Sequence, residues 1–354
     1  MKINKGTLKK ILVLSAFSIP WFISGCASTS EAKLNQKLST SHVLTPEGVN
    51  SNLRGIDMIQ KVSFKRDGLT IVGNLFTPKN FDVKDKYKAV IIAGSLSSVK
   101  EQMAGTYGQK FAENGFISLV IDYSHYGESE GQPRQYESPD EKLRDLKAAV
   151  TYLTNLPYVQ EVGMVGVCTS AGNAAYLAAS DNRVKTLATV AGFYPSPELS
   201  NKMFGEDEVA RRRALGAEAE KVYEESGEQI TIPVYSNEYK TAVNYNPTPN
   251  SYDYYMNKTR GGVPQWKNEF AVMSFGPWLD FDSMSKAPEI KMPTIVVHSD
   301  GSAFPDQAKK FYSLLGGLKV LKWGDGNHYN YYDQPAQIDF AVHNIAIFFN
   351  EHMH

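Results

Sequence analysis

Residues 161–180 read EVGMVGVCTSAGNAAYLAAS. Glu161–Val167 is an apolar run of strand length, and Ala171–Ser180 is a run of small residues suited to a closely packed helix. Only a few residues separate the two. A strand that passes into a helix across so short a break must turn sharply. Gly166, Ser170, Ala171 and Gly172 are small enough to allow that turn without collision. The residue at its apex is Cys168.

Outward from this corner the same alternation repeats in both directions. KAVIIAGS (88–95), FISLVIDY (116–123), VKTLATVAGFY (184–194), PTIVVHS (293–299) and KVLKW (319–323) read as strands. SVKEQMAGTYGQKFAENG (98–115), SPDEKLRDLKAAVTYLTNL (138–156), PDQAKKFYSLL (305–315) and QPAQIDFAVHNIAIFFNEH (334–352) read as helices. Gly115 is placed to close the first helix, and Ser138 or Asp140 to cap the second. Apolar strands that each precede a helix predict a mostly parallel sheet covered by helices on both faces, an α/β fold. Ahead of it, two alternating runs in 57–78 flank Asp67-Gly68 and predict a β-hairpin.

Between about 195 and 290 the alternation stops. Residues 197–226 are charged and helix-prone, and 235–282 are crowded with Tyr, Asn, Trp and Phe. An insertion of this length predicts a cap over the strand ends, its aromatic residues forming a small core of their own.

The first 26 residues read as a targeting segment. MKINKGTLKK is a positive n-region, ILVLSAFSIPWFI is too short and too broken by Pro20 for an ordinary membrane span, and ISGC (23–26) has the form of a lipobox. The expectation is a lipoprotein signal peptide over 1–26, lipid on Cys26, a polar tether over 27–54 and one domain over 55–354. The alternatives are an ordinary signal peptide or an uncleaved anchor. Alanine after Cys26, where aspartate would signal retention, points in Gram-negative bacteria to an outer-membrane lipoprotein of the cell envelope, so the membrane is an expected partner.

A net charge of −1 leaves no footprint for nucleic acid. The seven histidines and two cysteines fall in no zinc-like spacing, so neither a metal nor a cofactor is expected. No obligate protein partner is evident. If Cys26 carries lipid, Cys168 has no partner for a disulfide. A lone thiol in an oxidising compartment is either inert and buried or kept for its chemistry.

The corner suggests the second use. Such a turn lifts its apical side chain above the sheet edge and seats it at a helix N-terminus, where thiolate is favoured. Thr169 N–H can point at a developing oxyanion, with a second donor from the loop after the 88–95 strand, Ser95 or Leu96. Two alternatives stay open at the corner: Ser170 as nucleophile in a register shifted by two, and a structural cysteine. GESEG (127–131) satisfies G-x-S-x-G literally, with Ser129 at its centre. It is followed by the polar, proline-containing QPRQYESPD, so it lacks the helix the motif needs.

A thiol nucleophile needs a base and an orienting acid. His328 lies in the loop after the last strand, whereas His343 sits within the final helix. Asp300 follows the penultimate strand directly; Asp306, Asp280 and Asp282 are alternatives.

Residues 57–351 resemble an α/β-hydrolase of the dienelactone-hydrolase-like group, near the polyketide acyltransferases. The resemblance is carried by SVKEQMAGTYGQKFAENGF, DYSHYGESEG, GVCTSAG and YYDQPAQIDFAVHNIAIFF. It implies an α/β-hydrolase fold and a Cys–Asp–His site with Cys168 and His328; at the place the family gives its acid, this chain has Ser302. It also implies small acyl substrates: esters, lactones or thioesters. The expected chemistry is attack by Cys168 on a carbonyl, with Thr169 and Ser95 holding the oxyanion and His328 moving the proton. An acyltransferase using the same site, and a surface binding lipoprotein without activity, are the rival readings.

Overall fold

The computed structural model describes residues 59–245 and 250–354. The expected signal peptide, the tether and Cys26 lie outside the described residues.

The chain opens with the hairpin of β1 (Ile59–Arg66) and β2 (Leu69–Phe76), paired so that Arg66 faces Leu69. Asp67 and Gly68 both take positive φ, 48° and 86°, the geometry of a tight two-residue turn that matches strand twist. Then come β3 (Tyr87–Ala93), α1 (Met103–Glu113), β4 (Ile117–Ile121), α2 (Pro139–Thr154), β5 (Val159–Val167), α3 (Ser170–Ser180) and β6 (Val184–Val190). After a long insertion, β7 (Thr294–Gly301), α8 (Pro305–Leu314), β8 (Lys319–Asn327), α9 (Asn330–Asp333) and α10 (Pro335–His352) complete the domain.

The eight strands form one sheet in the order β1-β2-β4-β3-β5-β6-β7-β8. The first two pairings, β1 with β2 and β2 with β4, are antiparallel, and the rest are parallel. Buried Val, Ile and Ala on the central strands pack into separate apolar clusters on the two faces: Val90 and Ile92 with Phe349, Ala89 and Ile91 with Leu146 and Leu177. Parallel strands put all their C-terminal ends on one rim, and ligands in open α/β sheets bind outside that rim.

Local signals set the helix ends. Ser138 caps α2, accepting from Glu141 N–H, with Pro139 in its first turn; Gly115 ends the turn after α1 with φ 88°. The helix read from 98 begins instead at Met103. Residues 95–102 make separate tight turns, Ser98 N–H to Ser95 O and Gln102 N–H to Val99 O. Lys100 and its neighbours are held there by a buried ion cluster.

The insertion between β6 and β7 carries α4 (Pro197–Phe204), α5 (Glu206–Ser226), α6 (Asn250–Met256), α7 (Phe275–Leu279) and two short ladders. Its aromatic residues do not form a core of their own. Tyr235, Tyr254, Tyr255 and Trp266 share one continuous cluster with Val90 and Ile92 of the sheet and Leu96 of the loop after β3. Tyr331 and Tyr332 belong to that cluster too, so the cap is packed down onto the sheet rim.

Candidate active site

Cys168 lies between β5 and α3 with φ 55°, a left-handed conformation that costs a residue with a side chain about 1–2 kcal/mol. The surroundings hold it there. Its N–H donates to Val190 O at 3.1 Å, and its carbonyl accepts from Phe193 N–H and Ala171 N–H, both at 2.9 Å. A Cβ on Gly166 would come within 2.3 Å of Ser170 O, so glycine is required beside the corner. Ser170 is fully buried beneath it, its hydroxyl 3.1 Å from Tyr123 Oη. Cys168 itself is half-buried and unpaired.

Four groups bear on the sulfur: the Thr169 hydroxyl, 3.7 Å away, the Tyr332 hydroxyl, and the backbone N–H groups of Thr169 and Leu96. Of the two N–H groups offered by the loop after β3, that of Leu96 bears on the sulfur. Ser97 at φ 58° turns this loop, and Ser95 is buried with its hydroxyl bonded to Tyr255 Oη. These groups favour thiolate, as a helix N-terminus should, yet burial outweighs them and pushes the Cys168 thiol above its ordinary range. Burial beneath the cap therefore works against the easily formed thiolate expected from the local sequence.

His328 arrives on the loop after β8, its own N–H bonded to Gly301 O at 3.1 Å. Its Nε2 lies 3.0 Å from Tyr332 Oη, and its Nδ1 accepts the Ala303 N–H at 3.3 Å. Burial pushes its pKa down to about 4. Tyr332 thus hydrogen bonds the imidazole and lies near enough to the thiol for charge on Cys168 to act on it. Sequence reading missed Tyr332. The available signal was its spacing of four from His328 in a helix-forming stretch, which brings two side chains to one face.

Asp300 does not join this group. The β7–β8 register shifts between Ser299 and Gly301, and the irregularity turns Asp300 outward. Its side chain is 80% exposed, 3.7 Å from Lys309 Nζ. Asp306 is exposed in the first turn of α8, Asp280 pairs with Arg213, and Asp282 accepts from Ser285 N–H. Ser302 is buried, 2.8 Å from Ser299 Oγ. Among the described residues no carboxylate hydrogen bonds or ion pairs with His328. Ser129 of the GESEG segment is buried and ties Val72 N–H to Asp122 O. Among the described residues, no cluster of His, Cys, Asp and Glu is arranged to hold a metal ion.

The wall above the sulfur is phenolic. Tyr235, Tyr255, Tyr329 and Tyr332 are all close enough that charge on Cys168 would raise their own pKa values. Tyr235 and Tyr255 stack at 4.2 Å, with Trp266 against Tyr255 at 5.0 Å. Two links tie the cap to the domain. Gln102 Nε2 donates to Gly261 O at 2.6 Å, and Arg260 grips both oxygens of Asp333 and one of Asp253.

Three buried histidines, His125, His298 and His328, give folding a pH dependence, each lowered first by burial. His298 and His328 are both held to about 4 by burial, against about 6.5 unfolded. Below 6.5 the unfolded chain takes up protons that the folded one refuses. Stability is therefore full above 6.5 and is lost as pH falls toward 4, by roughly 2 kcal/mol per ring at pH 5. Urea unfolding should show a clearly lower midpoint at pH 5 than at pH 7.5. Equal midpoints would show that the rings are not buried as described.

Comparison with known proteins agrees with this arrangement. The dienelactone hydrolase family model matches residues 71–211. The chain is 32% identical over 311 residues to an uncharacterized protein of Pseudomonas aeruginosa, covering 83% of this chain and 81% of that one. The crystal structure of that Pseudomonas protein superimposes with a TM-score of 0.72 over 87% of this chain and 98% of its own, at 28% identity. A thiohydrolase of Eupenicillium brefeldianum is 26% identical over 278 residues, 75% of this chain and 86% of its own. A polyketide transferase of Penicillium crustosum is 23% identical over 286 residues, 77% and 90% of the two chains. With a nucleophile-type corner, an eight-stranded sheet in this order and relatives that span most of its length, the chain belongs to the dienelactone-hydrolase-like group of the α/β-hydrolases.

Proposed function

We propose that the protein transfers acyl groups through Cys168, hydrolysing small esters, lactones or thioesters by way of an acyl-thioester on that residue. The observation that carries this reading is the convergence on one sulfur of a left-handed corner, two backbone N–H donors and the Tyr332–His328 pair. Sulfur attacks the carbonyl carbon, and Thr169 and Leu96 N–H stabilise the oxyanion, each such donor contributing roughly 3–4 kcal/mol. Water then releases the acid. The relatives named as a thiohydrolase and a polyketide transferase favour thioesters among these substrates. The enclosed phenolic wall favours a second reading, transfer to an alcohol in place of water.

The test is a panel of p-nitrophenyl esters, lactones and acyl thioesters, followed by intact mass. The expected result is turnover with an acyl adduct on Cys168. Diversion of product by an added alcohol would assign transfer. No turnover and no adduct on any class would leave a binding protein instead.

We also propose that Cys26 carries lipid and holds the domain at the cell envelope, from the sequence of the first 26 residues. Cys26→Ser should move the protein from the membrane fraction to the soluble one. Unchanged partition would sink the idea.

A further inference from the structure

We propose that the rim of the sheet opposite Cys168 is a docking surface for a bilayer of anionic lipids, on which the domain lies with the N-terminal ends of its parallel strands against the headgroups and its cap toward water. The inference rests on the reading of Cys26 as anchor only for what brings the domain to a membrane; the surface itself is read from the described residues.

The described chain enters the domain at this rim. Ile59 pairs with Phe76, and Phe76 pairs with Ser118 near the start of β4, so the first residue of β1 stands level with the N-terminal ends of the parallel strands. An anchor within residues 1–58 therefore pulls on the side away from Cys168, which follows the C-terminal end of β5. The four exposed large aliphatic side chains among the described residues gather toward the same rim. Ile59 is 49% exposed, and Leu314 and Leu318, 37% and 52% exposed, flank the turn into β8. Ile347 lies one turn before Asn350, whose carbonyl accepts from Lys88 Nζ, at the start of β3, at 3.0 Å. A single exposed leucine is ordinary, but aliphatic groups confined to one rim call for a partner that takes them up.

Cations stand among these side chains. Lys147, Arg183, Lys185 and Lys291 line an open groove of about 820 Å³ beside the starts of β6 and β7. The two carboxylates of the groove are already taken, Asp181 by Arg183 at 2.6 Å and Glu289 by Lys286 at 2.9 Å. Lys185 and Lys291 are exposed, and among the described residues their ammonium groups bond only backbone carbonyls, Asn182 O at 3.0 Å and Pro288 O at 2.9 Å. Lys291 Nζ lies against Gly316, between Leu314 and Leu318, so cation and leucines form one patch. The cap has the opposite sign: residues 197–282 hold fourteen Asp and Glu against nine Lys and Arg. An anionic bilayer attracts the groove, repels the cap and takes the aliphatic side chains between its headgroups. A nucleic acid would use the cations but leave the leucines in water. So few cations bind a bilayer weakly and reversibly, so the contact orients a domain that Cys26 already holds there and does not replace the anchor. With this rim down, acyl substrates reach Cys168 from the aqueous side.

The experiment reconstitutes the full chain into vesicles of phosphatidylglycerol and phosphatidylcholine in equal parts, or of phosphatidylcholine alone, with bromine on the acyl chains as quencher. Leu318→Trp reports the rim, and Tyr239→Trp, at a position 48% exposed on the cap, reports the other face. On the anionic vesicles the emission added by Leu318→Trp should fall at least about twofold while that of Tyr239→Trp stays unchanged, and raised salt or pure phosphatidylcholine should restore it. Adding Lys185→Glu and Lys291→Glu, both at exposed positions, should abolish the quenching and leave turnover intact. Quenching of both reporters alike, of neither, or surviving both charge reversals would overturn the proposal. A blue shift of Leu318→Trp that grows with protein concentration without vesicles would assign the rim to a second copy of the chain and overturn it as well. Failure of the wild-type protein to float with vesicles would sink the anchor alone, and the rim is then read without it. Cys26→Ser should bind the anionic vesicles at low salt at least about tenfold more tightly than Cys26→Ser with both charge reversals, and equal affinity would overturn the rim.

Discussion

Cys168→Ala should abolish acyl transfer, lowering kcat/KM by about four to six orders of magnitude, while leaving the fold in place. The asymmetry follows from how the corner is built. Its backbone is held by Val190 O, Phe193 N–H and Ala171 N–H, none of which depends on the side chain. Removing the sulfur deletes the bond-forming atom and leaves Thr169 N–H, Leu96 N–H and Tyr332 aimed at nothing. Two further variants separate chemistry from structure. Cys168→Ser keeps the shape but offers a hydroxyl far harder to deprotonate, so it should lose most of the activity. Cys168→Gly relieves the positive φ and should raise stability by about 1 kcal/mol while being inactive. Turnover in Cys168→Ala above a tenth of wild type would remove the thiol from the mechanism. Ser170 would then be the next group to test.

Lys100→Met should be the most damaging substitution outside the site. The ammonium is buried with Asp122 at 2.9 Å, Glu128 at 2.7 Å and Glu101 at 2.7 Å, and its backbone N–H also reaches Asp122, at 2.8 Å. Lys100 is 2% exposed at its side chain and Asp122 not at all. Methionine fills the volume but leaves a buried carboxylate without its cation, which costs about 3–5 kcal/mol. In a chain of this length that lowers Tm by about 10 °C. The cluster also anchors the 94–102 loop, which carries Leu96 N–H to the sulfur, so kcat/KM should fall about tenfold as that donor loosens. Acid offers a second check. Glu128 is held below its usual range first by Lys100 and then by Lys61. Its contribution is present above the ordinary carboxylate range and is lost as pH falls through its lowered value. The variant should lose part of this acid sensitivity. A Tm within 2 °C of wild type would show that the buried pair contributes nothing net.

Much of the fold was legible in the sequence because its causes are local. Asp67-Gly68 must turn with positive φ, Ser138 must cap, and a Gly-x-Cys-x-Ser corner between an apolar run and a small-residue run must kink. The GESEG decoy was rejected on the same ground, the lack of a helix after it. What failed was decided by neighbours far along the chain. Asp300, read from the sequence as following its strand, lies within β7, where a register irregularity against β8 turns its side chain to solvent. Which N–H of the loop after β3 bears on the sulfur, that of Leu96, depends on how that loop meets the distant Cys168 corner. Tyr332 was missed because its hydrogen bond to His328 exists only in the folded site.

The sign of the thiol's shift marks the same division. Sequence by itself determined the strand–corner–helix unit, because backbone sterics and hydrogen bonds over a few residues leave no other conformation. Tertiary structure alone decided the proton chemistry. Packing the cap's tyrosines over the rim buries His328 and part of Cys168, and desolvation acts on both charges more strongly than the hydrogen-bond donors around the sulfur.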